Sequence, residues 1–502
     1  MSTIYYIRLK NYLDSMLNIN FKAIAKIIGV LLCIEAIFML FPLFTSIYYH
    51  EKDTLPFLFS FIITLITGAI LLITSRKNID RTGKREGFMA VALSWISISL
   101  MGALPFIFNG DTHTFTDAFF ESMSGFSTTG MSILEDIDGS CHGILLWRSL
   151  SQWLGGMGII LFSLAIMPIL NYGSGLYLFS AEMTGVTHEK LGPRISQTAK
   201  KLWGLYLFFT ILLFILLVIG PMDTFDAICT AMTTYSAGGF STKQASIAYW
   251  NSAYIDYVIT FFMFLSGINF ALIYRSVFRN PKHLFQNEEL KYYVIFIILG
   301  TIIITTYLLF SYSDSADYEW SFRTALFTVV SGLTTTGYSI VDFCDWGSFF
   351  FFFICLYMLC GACAGSTSGG AKMIRTIILM KNTSAEFFRQ IHPNTIRPIR
   401  VNNNTVSHEI VSKALAFFVF YILITLASCF ALSLLGLNIE ESIGLAISSI
   451  SNCGVGVGGE NPDAIFTTLP KIGKWIVLFN MLVGRLEIFT IIILFSPYFW
   501  KK

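Results

Sequence analysis

Residues 322–339 read FRTALFTVVSGLTTTGYS, and three altered copies of this stretch occur elsewhere in the chain. The copies read FTDAFFESMSGFSTTGMS over 115–132, TFDAICTAMTTYSAGGFS over 224–241 and ESIGLAISSISNCGVGVG over 441–458. Aligned on the small residues Ala118, Ala227, Ala325 and Gly444, each stretch has a glycine twelve positions later: Gly130, Gly239, Gly337 and Gly456. Each stretch also follows one apolar run and precedes another. This internal repeat predicts one unit used four times: span, short helix, glycine-containing loop, span.

The composition indicates a membrane protein. Hydrophobic residues make up 55% of the 502 positions and charged residues 13%, about half the ~25% charged content of a soluble domain. Apolar runs close to the ~20 residues that cross a bilayer predict ten spans. They lie at 23–47, 56–75, 88–108, 144–170, 202–220, 254–274, 292–311, 347–380, 414–436 and 472–499.

The lysines and arginines predict the orientation of these spans. The connections 76–86, 171–201, 275–291 and 372–413 together hold 20 of them, whereas the alternate connections hold 3. Because cytoplasmic loops are enriched in positive charge, the first set is predicted to be cytoplasmic. Both termini are then cytoplasmic, and the four repeated stretches face outward.

The length of each repeated stretch predicts a re-entrant loop. About 12 residues precede each glycine, or ~18 Å as helix, which is enough to enter a bilayer halfway. Irregular backbone at that depth is tolerated where it lines a cavity or is buried in protein. Four such loops around one axis would form a ring of carbonyls able to replace the hydration shell of a cation. The sequence from Thr334 to Tyr338 matches the T-x-G-Y core of a potassium-channel filter.

The predicted potassium selectivity filter contains four residues from each loop and no charged side chain. Its residues are Thr128, Thr129, Gly130, Met131, Ala237, Gly238, Gly239, Phe240, Thr335, Thr336, Gly337, Tyr338, Gly454, Val455, Gly456 and Val457. Those predicted to offer oxygens to the ion are Thr128, Thr129, Gly238, Thr335, Thr336, Gly454 and Val455. Glycines that only allow close helix packing are the alternative, but four outward-facing loops in register favour the filter.

The loops and the helices after them resemble those of the Trk/Ktr/HKT superfamily of potassium transporters. The matching segments include RSLSQWLGGMG over 148–158, SGINFAL over 266–272 and GRLE over 484–487. Two extra spans before the first repeat are similar to the TrkH branch. The resemblance implies an all-α polytopic fold with four M1–pore-loop–M2 repeats around one pore. It also implies a homodimer and a cytoplasmic nucleotide-binding regulatory subunit that is TrkA-like.

The predicted units follow from the repeats. They are an N-terminal pair of transmembrane helices over 1–86, pore repeat 1 over 87–200, pore repeat 2 over 201–290, pore repeat 3 with an intramembrane loop over 291–410, and pore repeat 4 over 411–502.

The second span of repeat 3 is interrupted by GACAGSTSGGA over 361–371. These small residues weaken a helix near mid-membrane. The family resemblance implies a loop that blocks the pore below the filter, with Gly361, Gly365, Gly369 and Gly370 as gating residues. Tight packing of a buried helix is the alternative. Lys372 is either a gating contact or the cytoplasmic end of the helix.

Arg485 lies about twelve residues into the last span, where a charge costs at least ~2.5 kcal/mol. It should therefore face a cavity or a partner. The family resemblance implies a gating role under the filter, with a structural ion pair as the alternative; Glu487 does not share its helix face. Arg148, near the outer interface, is predicted to snorkel in a structural role. Outer carboxylates could concentrate cations or be merely solvated: Asp117, Glu121, Asp226, Asp342, Asp345, Glu441 and Glu460.

The sequence thus predicts potassium uptake across the cytoplasmic (inner) membrane, with potassium as the transported ion and lipid as the surrounding partner. A secondary transporter that couples potassium to sodium or protons is the alternative, although such folds usually carry inverted repeats. An enzyme is not expected because no HExxH or paired intramembrane aspartates are present. No covalently bound cofactor and no nucleic-acid partner are expected.

Overall fold

The computed structural model describes residues 19–75, 84–156, 158, 195–278, 280–311, 317–341, 346–395, 397–456 and 464–500. These residues are predominantly helical. In chain order the helices are α1 (Phe21–Tyr49), α2 (Thr54–Thr74), α3 (Lys84–Gly102), α4 (Leu104–Asn109), α5 (Phe115–Phe126), α6 (His142–Gly156), α7 (Ile195–Ile219), α8 (Thr224–Tyr235), α9 (Ala253–Ser266), α10 (Phe270–Phe278), α11 (Lys282–Gln286), α12 (Glu288–Ser311), α13 (Tyr318–Leu333), α14 (Gly347–Cys360), α15 (Met373–Ile391), α16 (His408–Leu434), α17 (Ile439–Ser451), α18 (Ala464–Thr468), α19 (Lys471–Arg485), α20 (Phe489–Phe495) and α21 (Pro497–Trp500). A 3-10 helix, Ser246–Trp250, precedes α9.

Six spans in the described part of the chain are long and apolar enough to cross a membrane: Phe21–Tyr49, Thr54–Thr74, Arg85–Asn109, Ala199–Ile219, Glu288–Ser311 and His408–Leu434. They coincide with six of the ten predicted spans. Two further predicted spans are helix pairs, and each pair is sharply bent: α9 and α10 by 99°, α19 and α20 by 116°.

The remaining two predicted spans differ from continuous helices. The span at 347–380 is interrupted, because α14 ends at Cys360 and α15 begins at Met373. The span at 144–170 begins within α6, and its residues beyond 158 lie outside the described part of the chain.

The N-terminal helix pair packs through small residues. A Cβ on Gly29 of α1 would lie 2.9 Å from the carbonyl oxygen of Gly68 in α2, and a Cβ on Gly68 would lie 2.8 Å from the Cys33 sulfur. Apolar burial alone does not drive helices together in lipid, so such close backbone approach is a main source of association. The pair meets repeat 1 through contacts of α1 with α3 and α6.

Each repeat contains one short helix between two longer segments, as the repeat pattern predicted. These pore helices are α5, α8, α13 and α17, and their N-termini are capped by side chains. Thr114 accepts from the Asp117 N–H, Asp223 from Phe225 and Asp317 from Glu319. Asn438 and Glu441 form a capping box on α17. Capping satisfies amides that would otherwise be orphaned, so each helix begins sharply at its outer end.

A small antiparallel hairpin between α15 and α16 was not predicted. Its strands, β1 (Arg400–Val401) and β2 (Asn404–Thr405), pair Arg400 with Thr405 and Val401 with Asn404. Lys381 Nζ contacts both a Glu288 carboxylate oxygen and the Arg400 carbonyl oxygen, each at 2.7 Å. The hairpin is therefore tied to the start of α12 in repeat 3.

Candidate ion pathway

The four loops after the pore helices share one backbone conformation. Each contains a glycine with positive φ: 89° at Gly130, 82° at Gly239, 85° at Gly337 and 72° at Gly454. Two residues earlier, each loop has a second left-handed residue, with φ between 54° and 56°: Thr128, Ala237, Thr335 and Asn452. Left-handed backbone is costly for most residues with a Cβ, so the same unusual conformation in four different sequences indicates a shared requirement.

The four glycines form a closed ring with the carbonyls of neighbouring repeats. A Cβ on Gly130 would lie 2.2 Å from the Gly238 oxygen, and one on Gly239 would lie 2.0 Å from the Thr336 oxygen. A Cβ on Gly337 would likewise lie 2.0 Å from the Cys453 oxygen, and one on Gly454 would lie 2.0 Å from the Thr129 oxygen. The order of contacts runs from repeat 1 to 2, 3, 4 and back to 1. The backbone at these four positions therefore leaves no room for a side chain.

The fourth loop requires a correction to the alignment made from sequence. Gly454, and not Gly456, occupies the position of Gly130, Gly239 and Gly337. The hydrogen bond from the Cys453 N–H to the Ser448 oxygen, 3.0 Å, matches those at Thr129, Gly238 and Thr336 in the other loops, which measure 2.9 Å. The alignment failed because the loop has two glycines and small residues at both 442 and 444. Val457, predicted as part of the filter, lies outside the described residues.

The ring glycines open onto one cavity, a vestibule above the ring. Gly130, Gly239, Gly337 and Gly454 all line it, and Glu135 and Lys243 lie at its wall. The vestibule lies on the side of the ring that the charge pattern predicts to face outward.

Several of the carboxylates that could have concentrated cations at the outer mouth instead have partners within the protein. Asp117 accepts from Lys474 at 2.8 Å, and Asp226 lies 3.8 Å from Lys243. Glu121 is fully buried, while Glu441 caps α17 by accepting from the Asn438 N–H. Asp342, Asp345 and Glu460 lie outside the described residues. Among the carboxylates placed by the structure, Glu121 therefore has no part in the vestibule.

The Glu121 carboxylate forms a buried ion pair with Arg148 behind the ring. Arg148 Nε lies 2.7 Å from Glu121 Oε1, and both side chains are 1% exposed or less. Arg148 also donates to the Ser241 carbonyl oxygen at 2.9 Å and lies over the Phe240 ring. The prediction that Arg148 snorkels to the interface was wrong, because a guanidinium with these partners is satisfied without water. The pair links repeat 1 to the loop of repeat 2.

An intramembrane loop over Gly361–Lys372 lies directly below the ring. The Gly369 N–H donates to the Thr335 hydroxyl at 2.6 Å, and the Gly370 N–H donates to the Ser451 carbonyl oxygen at 3.0 Å. The Thr367 hydroxyl donates to the Tyr235 carbonyl oxygen at 3.3 Å. These partners end the pore helices or begin the filter loops of repeats 2, 3 and 4.

The same loop is also bonded to the break between α9 and α10. The Cys363 N–H donates to Gly267 at 3.0 Å, the Phe270 N–H donates to Gly365 at 3.1 Å, and Asn269 Nδ2 donates to Ala364 at 2.7 Å, the acceptors being carbonyl oxygens. The loop therefore has few free backbone groups, although it is irregular at the depth of the membrane.

Three of the predicted gating glycines have positive φ: Gly361, Gly365 and Gly370, at 67°, 75° and 71°. Gly369 is crowded for another reason, because its Cβ would lie 2.0 Å from the Ser451 carbonyl oxygen. Small residues are thus needed here by backbone conformation and by close approach, which explains the composition of the segment.

Lys372 and Arg485 both contact this loop. Lys372 precedes the first turn of α15 and donates to the Ser368 carbonyl oxygen. Arg485 ends α19 and donates to the carbonyl oxygens of Thr367, at 3.1 Å, and of Gly155, at 2.6 Å. Lys372 is 8% exposed and therefore does not mark a solvated helix end. Both cations lie beside the loop that the sequence predicted as a gate.

Several polar side chains at these breaks were not singled out from sequence. Glu289 of α12 accepts from the Ala364 N–H at 2.7 Å. Arg375 donates to Glu487, so Glu487 pairs across repeats. Asn269 caps α10 and holds Ala364. A charged or amide residue beside a small-residue break inside an apolar run is the signal that could have found them.

Four re-entrant helices, a closed ring of carbonyls and an irregular loop beneath it define a membrane pore protein for cations. The chain belongs to the TrkH family of cation transport proteins, whose model matches residues 55–502. It is 36% identical over 486 residues to the Trk system potassium uptake protein TrkH of Escherichia coli K12, covering 96% of this chain and all of that protein. It is 32% identical to the Trk system potassium uptake protein TrkI of Halomonas elongata, covering 95% and 97%.

A solved structure is similar over nearly the whole fold. The potassium transporter TrkH from Vibrio parahaemolyticus superposes with a TM-score of 0.85 at 31% identity, covering 96% of this chain and all of that chain.

Proposed function

We propose that this chain takes up potassium ions through its four-loop ring, which acts as the selectivity filter. The observation that carries the proposal is the closed contact of four glycines with the carbonyls of Thr129, Gly238, Thr336 and Cys453. Backbone carbonyls held in a ring can replace the hydration shell of a cation without adding fixed charge. The two relatives named above are both potassium uptake proteins, which supports potassium as the substrate.

The filter in this proposal keeps the residues predicted from sequence in repeats 1 to 3. In repeat 4 it uses Asn452, Cys453, Gly454 and Val455, since Gly454 lies at the ring level. The filter oxygens come mainly from backbone carbonyls, and the hydroxyls of Thr128 and Thr335 add to the lower end.

The gate in this proposal is the loop Gly361–Lys372, held by Arg485. The loop spans the lower mouth of the ring through its bonds to Thr335, Ser451 and Tyr235. Release of those bonds would let an ion pass, and the Arg485 charge adds an electrostatic barrier below the filter. The gating role draws support from the bonds of Arg485 to the carbonyl oxygens of Thr367 and Gly155, which hold its charge beside the loop; an ion pair is the structural alternative.

The proposal also places the chain in the cytoplasmic (inner) membrane with both termini inside, on the strength of the lysine and arginine distribution. The five units keep the boundaries predicted above. Two copies form the working unit, and a cytoplasmic nucleotide-binding subunit controls the loop through the exposed end of α15. No catalytic chemistry is part of the proposal.

The experiment measures rubidium and sodium influx into proteoliposomes while sodium and pH gradients are varied independently. We expect Gly337→Ala and Gly130→Ala to lower the rubidium-to-sodium flux ratio by on the order of a hundredfold, because a methyl group would overlap a ring carbonyl. Gly436→Ala is the matched control: its φ is also positive, at 96°, but its Cβ would meet nothing within 4 Å.

Unchanged ratios in both ring variants would show that these glycines do not form the filter. Influx that requires a sodium or proton gradient, in either direction, would instead identify a coupled secondary transporter.

A further inference from the structure

Gln152 connects two repeats through the filter loop of repeat 2. It lies in α6 of repeat 1, and its side chain is fully buried. Its Nε2 donates to the Gly238 carbonyl oxygen at 2.7 Å, and its Oε1 accepts from the Phe240 N–H at 3.0 Å. Only one orientation of the amide satisfies both partners, because the carbonyl needs a donor and the N–H an acceptor. The side chain therefore spans both sides of the ring glycine Gly239.

In repeats 1 and 3, the residue before the ring glycine has a hydroxyl side chain that bonds within its own loop. The residue before the ring glycine is Thr129 in repeat 1 and Thr336 in repeat 3. The Thr129 hydroxyl lies 2.6 Å from that of Ser127, and the Thr336 hydroxyl lies 2.8 Å from that of Thr334. Gly238 occupies this position in repeat 2 and has no side chain to make such a bond.

The space of the missing side chain is filled by Gln152. A Cβ on Gly238 would lie 2.4 Å from the Cδ and from the Oε1 of Gln152. A residue larger than glycine at position 238 would thus overlap a glutamine at position 152. The chain has Gln152 beside the loop of repeat 2, whereas the other three repeats have a side chain at the position before the ring glycine.

A second support of the loops, present in repeats 3 and 4, is also absent from repeat 2. In repeats 3 and 4, a pore-helix serine donates to the carbonyl after the ring glycine: Ser331 to Tyr338 and Ser448 to Val455, both at 2.8 Å. The equivalent residue in repeat 2 is Thr233, whose hydroxyl donates to the Cys229 carbonyl oxygen within its own helix at 3.0 Å. Repeat 1 lacks this second support too, because the buried Ser124 hydroxyl has no hydrogen-bond partner among the described residues, but repeat 1 keeps the bond between Ser127 and Thr129. Repeat 2 is therefore the repeat that lacks both, and its loop is anchored from outside its own repeat.

We propose that Gln152 is a positioning and specificity-determining residue, which fixes the Gly238 carbonyl in the ring in place of the side chain that position 238 lacks. The inference rests on the proposed function of the ring as a filter. A ring carbonyl that already accepts from an amide offers less of its charge to a cation than its three counterparts. Gln152 therefore makes the ring unequal as well as rigid, and its loss frees the loop of repeat 2 to rotate that carbonyl.

The test compares flux ratios per folded protomer in proteoliposomes, with folded yield measured separately by size exclusion. Gln152→Met keeps the volume and removes both hydrogen bonds. We expect it to lower the rubidium-to-sodium flux ratio about tenfold, the factor that corresponds to one unsatisfied buried carbonyl, while rubidium flux itself changes less than about threefold. Ser149→Ala is the control, because the Ser149 hydroxyl is buried on the same helix and donates to Leu145.

A rescue separates positioning from packing. Gln152→Ala with Gly238→Thr returns a hydroxyl side chain to position 238, as in repeats 1 and 3, and we expect it to restore the ratio to within about threefold of the native value. A double variant no more selective than Gln152→Ala would overturn the claim that Gln152 replaces the missing side chain.

Two further outcomes count against the proposal and are distinguishable. If Gln152→Met keeps the native ratio while Gly337→Ala loses it, the ring is a filter and Gln152 only packs against it. If neither variant changes the ratio, the filter assignment fails and the role of Gln152 fails with it.

Discussion

The four filter loops resemble one another far more closely than the helices that follow them. The ring glycines have φ values between 72° and 89°, although the loop sequences differ at most positions. Below the ring, repeat 2 bends by 99° and repeat 4 by 116°, and repeat 3 carries the intramembrane loop. A cation on the axis needs oxygens on all sides, whereas one repeat alone can provide a gate.

The two regions also meet their neighbours differently. The ring loops approach one another directly through their backbones, and side chains such as Gln152 and Arg148 hold them from behind. The lower region combines backbone hydrogen bonds of the intramembrane loop with charged side chains that cross repeats, such as the Arg375–Glu487 pair and the bonds of Arg485 to Thr367 and Gly155. Substitutions above should therefore change selectivity, and substitutions below should change rate.

The sharpest test of the upper region compares Gly454→Ala with Gly456→Ala. A methyl group at 454 would combine a left-handed backbone, costing ~1–2 kcal/mol, with overlap of the Thr129 oxygen. We expect the rubidium-to-sodium flux ratio to fall by on the order of a hundredfold, about 2.7 kcal/mol. Gly456→Ala lies two residues past the ring and should change the ratio less than about twofold. A larger effect at 456 than at 454 would restore the register inferred from sequence.

The lower region is tested by deletion of Gly365 to Gly369. The deletion removes the bonds of Thr367 and Gly369 to the lower end of the ring, and we expect a loop five residues shorter to draw the Gly370 N–H away from Ser451 as well. At ~0.7 kcal/mol net each, the loss of three bonds favours an open pore by about 2 kcal/mol. Basal rubidium flux should rise roughly thirtyfold with little change in selectivity. Gly369→Ala keeps the loop length but places a methyl group against the Ser451 oxygen, so it should raise flux in the same direction. A folded deletion protein that conducts no faster would identify the segment as packing.

Arg485 is expected to have the smallest effect of the three. Two unit charges ~10 Å apart at an effective dielectric of about 20 repel by about 1.7 kcal/mol. Arg485→Gln should therefore raise potassium flux about tenfold, whereas Arg485→Lys retains the charge and should stay closer to native. Flux is scored per folded protomer, with yield measured separately. Native flux with poor yield in the glutamine variant would mean that Arg485 only stabilises the fold.

The sequence aligned Gly130, Gly239 and Gly337 at the positions where the structure has the ring glycines, because each follows an alanine by twelve residues. It misplaced the fourth because Gly454 and Gly456 are equally good glycines in a one-dimensional alignment. The positive φ of Gly454, the hydrogen bond from Cys453 to Ser448 and the close approach to the Thr129 oxygen distinguish them, and the last of these joins residues more than 300 positions apart.

The buried polar residues behind the ring show the same limit. Arg148 looked like an interfacial cation because it lies near the outer end of an apolar run, yet Glu121 meets it inside the protein. Gln152 lies in the segment 148–158, which resembles the superfamily, but its hydrogen-bond partner Gly238 is 86 residues away in the sequence. Such pairs carry no local signal, since each partner alone is an ordinary polar residue in a helix.

By itself, the sequence determined the membrane class, the repeated unit and the broken helix of repeat 3. These follow from local properties: hydrophobic run length, the spacing of the repeated stretches and glycine where side chains do not fit. The tertiary structure alone decided the register of the fourth loop and the partners of Arg148, Arg485 and Gln152. It also decided the position of the intramembrane loop, which lies under Thr335 and Ser451. Those features depend on which repeats become neighbours around the axis, and a ring closes only in three dimensions.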